Sequence, residues 1–281
     1  MRDSDFLRRE IARRMHERLA LVRLDPTHVL DAGCGEGADL VPLQQRYPKA
    51  HIVGLDGAPA MLAQAAAFQQ GARSSLDRML GKWLPAAATK TRQDLLCGDF
   101  ALLPFGTGTL DLVWSNLALH WHPQPDVLFA EWRRVLKVDG LLMFSCFGPD
   151  TFRELRAAFA AADPHPHALP FVDMHDFGDM LAEAGFSTPV MDMEMITVTY
   201  ESLGKMLADM RAWGGNPLQT RRRGLMGRAA MARVTAALQN IQGGDGRMPL
   251  SFEVIYGHAF RPAPRTTSRG ESIVRFDLPK K

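Results

Sequence analysis

The amino-acid sequence predicts an α/β fold: a doubly wound, mostly parallel sheet that carries an inserted helical lobe. Three observations predict it. From residue 25 to residue 148, apolar segments of strand length alternate with amphipathic segments of helix length. Short turns rich in Gly, Pro or Asp join these segments. Beyond residue 148, longer helical segments separate the remaining strands. Such alternation is typical of a Rossmann-like sheet with helices on both faces.

The bulk composition is that of a globular protein, with 281 residues, 46% hydrophobic, 23% charged and a net charge of +2. So small a net charge does not predict a nucleic-acid partner, and no apolar run approaches the roughly 20 residues of a membrane span. Cys34, Cys97 and Cys146 are widely spaced and form no CxxC pair, which predicts neither a metal site nor disulfides. We therefore expect a cytoplasmic protein that contacts neither nucleic acid nor membrane.

The elements of the first half follow in order. Residues 4–23 repeat apolar side chains at three- and four-residue steps, which predicts a helix that ends before Pro26. The next predicted elements are the strand THVLDAG, the helix ADLVPLQQRYP, the strand HIVGLD, the helix PAMLAQAAAFQQGA, the strands DLLCGD and TLDLVWSNLAL, the helix DVLFAEWRRVL, ended by VDG, and the strand LLMFSCF. Residues 73–93 are polar and irregular, and we interpret them as an insertion.

The second half is dominated by helices. TFRELRAAFAAA, FVDMHDFGDMLAEAGF and ESLGKMLADMRAWGG predict helices, with a basic helical stretch after the last, and MDMEMITVTY and FEVIYGHAF predict strands. We predict four regions: an N-terminal helix at 1–24, an α/β core at 25–148, the end of the sheet with its helical lobe at 149–261, and a disordered polar tail at 262–281.

Three glycines follow the first predicted strand, in the stretch VLDAGCGEG at residues 29–37. Because Gly33, Gly35 and Gly37 lack a Cβ, the backbone can turn sharply there and let a ligand approach closely. The helix that follows directs its first amide groups into the turn. Taken alone, the motif is also compatible with a purely structural turn.

Two acids follow the next strands along the chain. Asp56 ends the second strand, where a carboxylate can accept hydrogen bonds from both ribose hydroxyls of a nucleoside. Asp99 follows the third strand, beside the position of an adenine amino group, with Phe100 as an apolar neighbour; a turn cap is the alternative interpretation of Asp99. Since these strand ends meet at one edge of the sheet, they indicate an adenosine-containing cofactor.

The charges of the glycine turn distinguish between two such cofactors. The spacing is GxGxG, whereas dinucleotide sites require GxGxxG. Glu36 lies inside the turn, and a fixed negative charge disfavours a pyrophosphate but is compatible with a sulfonium and an ammonium. Asp31, just before the turn, can orient that ammonium. S-adenosylmethionine therefore fits better than a dinucleotide.

Longer motifs agree with this prediction. VLDAGCGEG, VGLDGAPAML, LLCGDFALLPF, DLVWSNLALHW and LKVDGLLMFS resemble the successive motifs of class I S-adenosylmethionine-dependent methyltransferases, over about residues 28–147. The cofactor-binding set predicted in these motifs is Asp31, Gly33, Gly35, Gly37, Asp56, Gly57, Met61, Asp99, Phe100, Asn116 and Leu117.

SNLALHW and FGPDTFRELR narrow the resemblance. With the lobe that follows, they resemble the biotin-synthesis methyltransferases, which methylate the free carboxyl of malonyl-acyl carrier protein early in that pathway. The mitochondrial complex I assembly factor of the same fold, which hydroxylates an arginine, is nearly as similar. A methyltransferase of quinones or sterols and a non-catalytic binding module remain alternatives.

The resemblance implies a carboxylate acceptor. This acceptor is already ionised at pH 7, so we expect no catalytic acid or base. The candidates for orienting the substrate are Arg211, Arg153, His120 and Trp121. We favour Arg211 as the cation for the acceptor and interpret His120 and Trp121 as walls of the pocket. The alternative for the arginines is a solvated helix face.

The implied partner is an acidic acyl carrier protein. A basic run comprising Arg221, Arg222, Arg223 and Arg228 would favour its docking, with a solvated helix as the alternative. The resemblance also implies a preceding helix with a Tyr that caps the pocket. Because this sequence begins at about the helix that follows it, we expect either an upstream start or a more open pocket.

Overall fold

The computed structural model describes residues 5–72, 93–214, 218, 220, 224 and 226–264. The strands of this part of the chain are β1 His28–Ala32, β2 His51–Asp56, β3 Gln93–Cys97, β4 Leu110–Asn116, β5 Leu136–Phe147, β6 Ser187–Tyr200 and β7 Met248–Phe260. The helices are α1 Phe6–Leu19, α2 Leu40–Arg46, α3 Pro59–Ala72, α4 Pro125–Val135, α5 Arg153–Ala160, α6 Met174–Glu183, α7 Leu203–Ala212 and α8 Arg228–Gln239.

The strands form one sheet in the order β3-β2-β1-β4-β5-β7-β6. Strands β1 to β5 are parallel to one another, whereas β7 runs antiparallel to both β5 and β6. The direction of winding reverses between β1 and β4, which is the switch point where ligands bind in sheets of this kind. The predicted mostly parallel, doubly wound sheet is confirmed, and α7 and α8 lie between β6 and β7 in the chain.

Alternating side chains of the strands build two apolar layers. Val29 of β1 faces the same layer as helices α1, α2, α5 and α8, whereas its neighbour Leu30 faces the layer of α4 and α6. The central strands β1 and β4 are buried on both faces because helices cover both. Because helices cover the faces of the sheet, a ligand site has to lie at the ends of the strands.

Three strands begin earlier than predicted. Helix α4 ends at Val135 and β5 begins at the next residue, five positions before the predicted Leu141. The VDG segment, predicted as the turn between this helix and the strand, lies inside β5 instead. Asp139 there adopts a φ of +62°, and its amide donates to the carbonyl of Arg261 at 2.8 Å. The other early starts are at Ser187 rather than Met191 in β6 and at Met248 rather than Phe252 in β7.

Several predictions concern residues outside the described part of the chain. Nearly all of the predicted 73–93 insertion, residues 73–92, lies there, as do residues 265–281 of the predicted tail and Arg221, Arg222 and Arg223. Within the described ranges, no helix has both the length and the apolar character needed to cross a bilayer.

Candidate active site

The three glycines form the turn between β1 and α2. Gly33, Gly35 and Gly37 have φ angles of +81°, +54° and +73°, a region that side chains with a Cβ disfavour. The amides of Gly33 and Cys34 donate to the carbonyl of Leu55 at 2.8 and 3.0 Å. The turn is therefore a tight loop fixed to the end of β2.

The two sides of this glycine loop differ. A Cβ on Gly33 would lie 2.3 Å from the Cβ of Ala118, in the segment that follows β4, so the loop packs directly on that segment. A Cβ on Gly35 would meet no atom within 4 Å in the part of the chain that the structure describes. The loop is thus closed at Gly33 and open at Gly35, where a ligand can approach the backbone.

Asp56 connects the loop to the end of β2. Its Oδ2 accepts the amide of Gly35 at 2.8 Å, and its Oδ1 accepts the amide of Ala58 at 2.8 Å. Each carboxylate oxygen has a second lone pair, so these bonds leave acceptor capacity for ribose hydroxyls. Gly57 is exposed in the same turn, and Met61, in the first turn of α3, is half-buried.

Asp99 lies in the turn after β3. Its Oδ1 accepts the amide of Ala101 at 2.8 Å, so it caps the turn while its side chain remains exposed. The carbonyl of the half-buried Phe100 accepts the indole Nε1–H of Trp132 at 2.9 Å, which holds that turn on α4. The capping role was the alternative interpretation of Asp99, and contact with adenine stays a prediction.

Asp31 is the more deeply buried of two acids, Asp31 and Asp39, in the site. It is 1% exposed, and its Oδ2 has no hydrogen-bond partner among the described residues. Burial raises the pKa of Asp31 well above its usual range; Asp39 raises it further and Arg8 opposes the rise. Because an enclosed carboxylate oxygen without a donor is costly, this atom fits a cationic group of a ligand.

Asn116 connects several groups at the end of β4. Its Nδ2 donates to Asp39 Oδ2 at 2.9 Å and to the carbonyl of Arg8 at 3.3 Å, and its Oδ1 accepts the hydroxyl of Ser145 at 2.9 Å. The indole Nε1 of Trp114 also donates to Asp39 Oδ2, at 3.4 Å. Asn116 therefore orients Asp39 and α1, and its direct contact with the cofactor stays a prediction.

Leu117 follows directly and has a φ of +54°. Its amide donates to both the carbonyl and the hydroxyl of Ser145, at 3.1 Å each. These bonds turn the chain from β4 toward Ala118 and the glycine loop.

The sequence pattern did not identify Arg8 or Asp39 as site residues. Arg8 is one of several arginines of an amphipathic helix, which a helical repeat alone does not distinguish. Asp39 lies two residues after Gly37, and this closeness to the loop was the available signal.

His120 lies in an apolar surrounding two residues after Ala118. Its ring contacts those of Trp121, Phe147 and Phe171, with centroids 5.4, 5.0 and 5.8 Å away. Burial lowers the pKa of His120 to about 3, so the imidazole is neutral at pH 7. Its Nδ1 is enclosed and has no partner among the described residues.

Trp121 is 44% exposed and reaches the end of α7. Gly214 has a φ of +125°, and a Cβ there would lie 2.7 Å from Cη2 of Trp121. Arg211, in the last turn of α7, is exposed three residues earlier. The end of α7 therefore packs on the same short segment that carries His120.

Arg153 and Arg228 lie on two other helices. Arg153 begins α5; its side chain is 57% exposed and its Nε pairs with Glu154 at 3.1 Å. Arg228 begins α8 and is exposed.

Comparison with known proteins agrees with this geometry. A methyltransferase-domain family model matches residues 30–144. A putative methyltransferase from Bacillus halodurans has the same fold, with a TM-score of 0.60 and 18% identity over 90% of this chain and 99% of that one. The sheet, the glycine loop and the acids at the strand ends define a class I S-adenosylmethionine-dependent methyltransferase. The open side of Gly35 and the Oδ2 of Asp31, which has no partner within the described ranges, fit that cofactor.

Curated relatives narrow the class. The malonyl-[acyl-carrier protein] O-methyltransferase of Laribacter hongkongensis is 46% identical over 274 residues, 96% of this chain and 89% of the relative. That of Gallionella capsiferriformans is 44% identical over 273 residues, 97% of this chain and 90% of the relative. The chain belongs to the malonyl-[acyl-carrier protein] O-methyltransferase family. This membership does not favour the alternative resemblance to the arginine-hydroxylating assembly factor.

Proposed function

We propose that the chain transfers the methyl group of S-adenosylmethionine to the free carboxylate of a malonyl group carried by acyl carrier protein, as an early step of biotin synthesis. The observation that carries the proposal is the 46% identity, over 96% of the chain, to a relative named for this reaction. The glycine loop and the buried Asp31 support it because they fit the methyl donor.

The reaction is a nucleophilic substitution. A carboxylate oxygen bonds to the methyl carbon while the carbon–sulfur bond breaks, and its electron pair stays on sulfur. The products are a methyl ester and S-adenosylhomocysteine. No proton moves, because a carboxyl with a pKa of about 3 to 4 is already ionised at pH 7. The protein therefore has to align the reactants and exclude water rather than supply a base.

The residues near Ala118 suit these two tasks. Burial lowers the pKa of His120 to about 3, so a neutral His120 forms, with the ring of Trp121, an uncharged wall. We assign the cation for the acceptor carboxylate to Arg211, because the end of its helix packs on Trp121 at Gly214. Arg153 is less favoured, since its guanidinium already pairs with Glu154.

Docking of the carrier protein follows from charge. Acyl carrier proteins are acidic, so we assign their contact to the exposed Arg228 and to Arg221, Arg222 and Arg223, which precede it in the sequence. Electrostatic attraction of this kind accelerates encounter and weakens with ionic strength.

Methyl transfer is tested with labelled S-adenosylmethionine and malonyl-acyl carrier protein. The proposal predicts label in a base-labile ester on the carrier protein. Acetyl-acyl carrier protein, which lacks the free carboxylate, is the matched control and should stay unlabelled. If S-adenosylhomocysteine binds but malonyl-acyl carrier protein gains no ester, the assigned acceptor is wrong.

The role of Arg211 is tested by Arg211→Gln. We expect kcat/KM for malonyl-acyl carrier protein to fall about 10-fold or more, because a charge-assisted hydrogen bond is lost. S-adenosylhomocysteine affinity should not change. Lys205→Gln, at an exposed position in the first turn of the same helix, is the control. Equal loss in both variants would contradict a specific role for Arg211.

A further inference from the structure

Helix α1 begins at the carboxyl end of β4, beside the glycine loop, and is held at two places. Near its C-terminus, Arg14 pairs with Glu194 and Arg18 with Asp192, both on β6. At its first turn, the carbonyl of Arg8 accepts the side-chain Nδ2–H of Asn116 at 3.3 Å. The helix therefore places the Arg8 side chain at the end of β4 in a fixed orientation.

Arg8 is a largely buried cation among acids. Its side chain is 24% exposed, and its Nε and Nη2 donate to the two carboxylate oxygens of Asp5 at 2.8 and 3.2 Å. Asp39 and Asp31 also interact with it electrostatically, and together these acids raise the pKa of Arg8 against the effect of burial. A guanidinium has five N–H donors, so it can serve Asp5 and a further acceptor together.

The amino-acid part of the cofactor carries two opposite charges on one carbon. Its ammonium suits the Oδ2 of Asp31, for which the described part of the chain offers no hydrogen-bond partner. Its carboxylate then lies in the negative potential of Asp31 and Asp39, unless a cation stands close by. A buried carboxylate without such a partner is strongly disfavoured.

We propose that Arg8 binds the α-carboxylate of the amino-acid part of S-adenosylmethionine, opposite Asp31, so that α1 supplies half of a site for a zwitterion. A planar guanidinium matches a carboxylate better than an ammonium does. This inference rests on the cofactor alone, and not on the proposed methyl acceptor.

The experiment compares two ligands that differ in one group. S-adenosylhomocysteine carries the carboxylate, and its decarboxylated analogue, 5′-(3-aminopropylthio)-5′-deoxyadenosine, keeps the ammonium. Isothermal titration calorimetry on the full chain should show about 10- to 100-fold tighter binding of S-adenosylhomocysteine, the range of a charge-assisted hydrogen bond. Equal affinity of the wild-type protein for both ligands would overturn the proposal.

Arg8→Gln should abolish this preference. The affinity for S-adenosylhomocysteine should fall about 10- to 100-fold, whereas the affinity for the analogue should stay within about 3-fold of the wild-type value. The control is Arg9→Gln, since Arg9 also pairs with Asp5, at 3.8 Å, but is 44% exposed. Arg8→Lys, which keeps the charge, should show an intermediate preference. Equal weakening of both ligands by Arg8→Gln would indicate a structural role. Unchanged S-adenosylhomocysteine affinity, as expected if Arg8 served the methyl acceptor, would also contradict the proposal.

Discussion

At the scale of single residues, neighbouring positions of the glycine loop have different physical roles. Gly33 is enclosed by Ala118, whereas Gly35 faces open space. Both have positive φ, so either alanine variant strains the backbone, but only at Gly33 does the added methyl also collide with the protein. Stability and cofactor binding can therefore be separated within one turn.

Gly33→Ala should lower the free energy of unfolding by about 3 kcal/mol, from backbone strain and overpacking together. Gly35→Ala should cost only about 1 kcal/mol of stability, from strain, but should weaken S-adenosylhomocysteine binding because its methyl group enters the ligand space. Urea denaturation and calorimetry measure the two quantities. Full affinity in Gly35→Ala would show that the ligand does not approach this side.

Asp31→Asn should stabilise the ligand-free protein and weaken the binding of the cofactor. Because burial raises the pKa of Asp31, the folded state holds this proton to higher pH than the unfolded chain, and stability falls as pH rises above the ordinary range of Asp. Removing the charge should therefore add about 1 kcal/mol at pH 7.5, with a smaller gain at pH 5. A variant less stable than the wild type at pH 7.5 would contradict this account of Asp31.

His120 should make the protein sensitive to mild acid. Burial lowers the pKa of His120 from 6.5 to about 3. Between these two pH values the imidazole is protonated in the unfolded chain and neutral in the folded protein. The free energy of unfolding is therefore unaffected by His120 above pH 6.5 and should be about 2 kcal/mol lower at pH 5. His120→Gln should remove that slope in urea titrations, whereas His175→Gln, at an exposed position, should keep it. Parallel slopes in all three proteins would exclude a buried neutral His120.

At the scale of elements, α1 joins the core to the cofactor edge. Its buried stripe, which includes Ile11 and Met15, packs on the layer that contains β1 and β4, while the first turn presents Arg8. We therefore expect the affinity for the cofactor to depend on how the apolar stripe of α1 packs on the core.

Ile11→Ala should lower the free energy of unfolding by about 2 to 5 kcal/mol, because Ile11 is fully buried. It should also lower the affinity for S-adenosylhomocysteine, since the first turn of α1 loses its support. Arg13→Ala removes exposed pairs with Glu10 and Glu17 on the same helix and should change neither quantity. If Ile11→Ala lost stability but kept full affinity, α1 would not position cofactor contacts.

An element could be predicted from the sequence when neighbouring residues determine it, and was missed when distant residues do. Strands such as β1 and β2 were predicted because an apolar run between turn residues is a local signal. The early start of β5 was missed because Asp139 is held by Arg261, a partner more than a hundred residues away. Arg8 was missed for a similar reason: its neighbours Asp31 and Asp39 approach it only in the folded chain.

At the scale of the whole molecule, the sheet order brings the ends of β1, β2, β3 and β4 to one edge. The glycine loop, Asp56 and Asp99 belong there because parallel strands align their carboxyl ends. The helices α7 and α8, between β6 and β7, supply the end of α7 that packs on Trp121. Under the proposed function, the donor site and the cation for the acceptor thus come from different parts of the chain.

A crystal structure of the complex with S-adenosylhomocysteine tests the central claim most directly. The account predicts the ribose hydroxyls within hydrogen-bond distance of Asp56, the adenine beside Asp99, and the amino-acid part between Asp31 and Arg8. Ligand density away from the glycine loop, or an amino-acid part that contacts neither Asp31 nor Arg8, would contradict it.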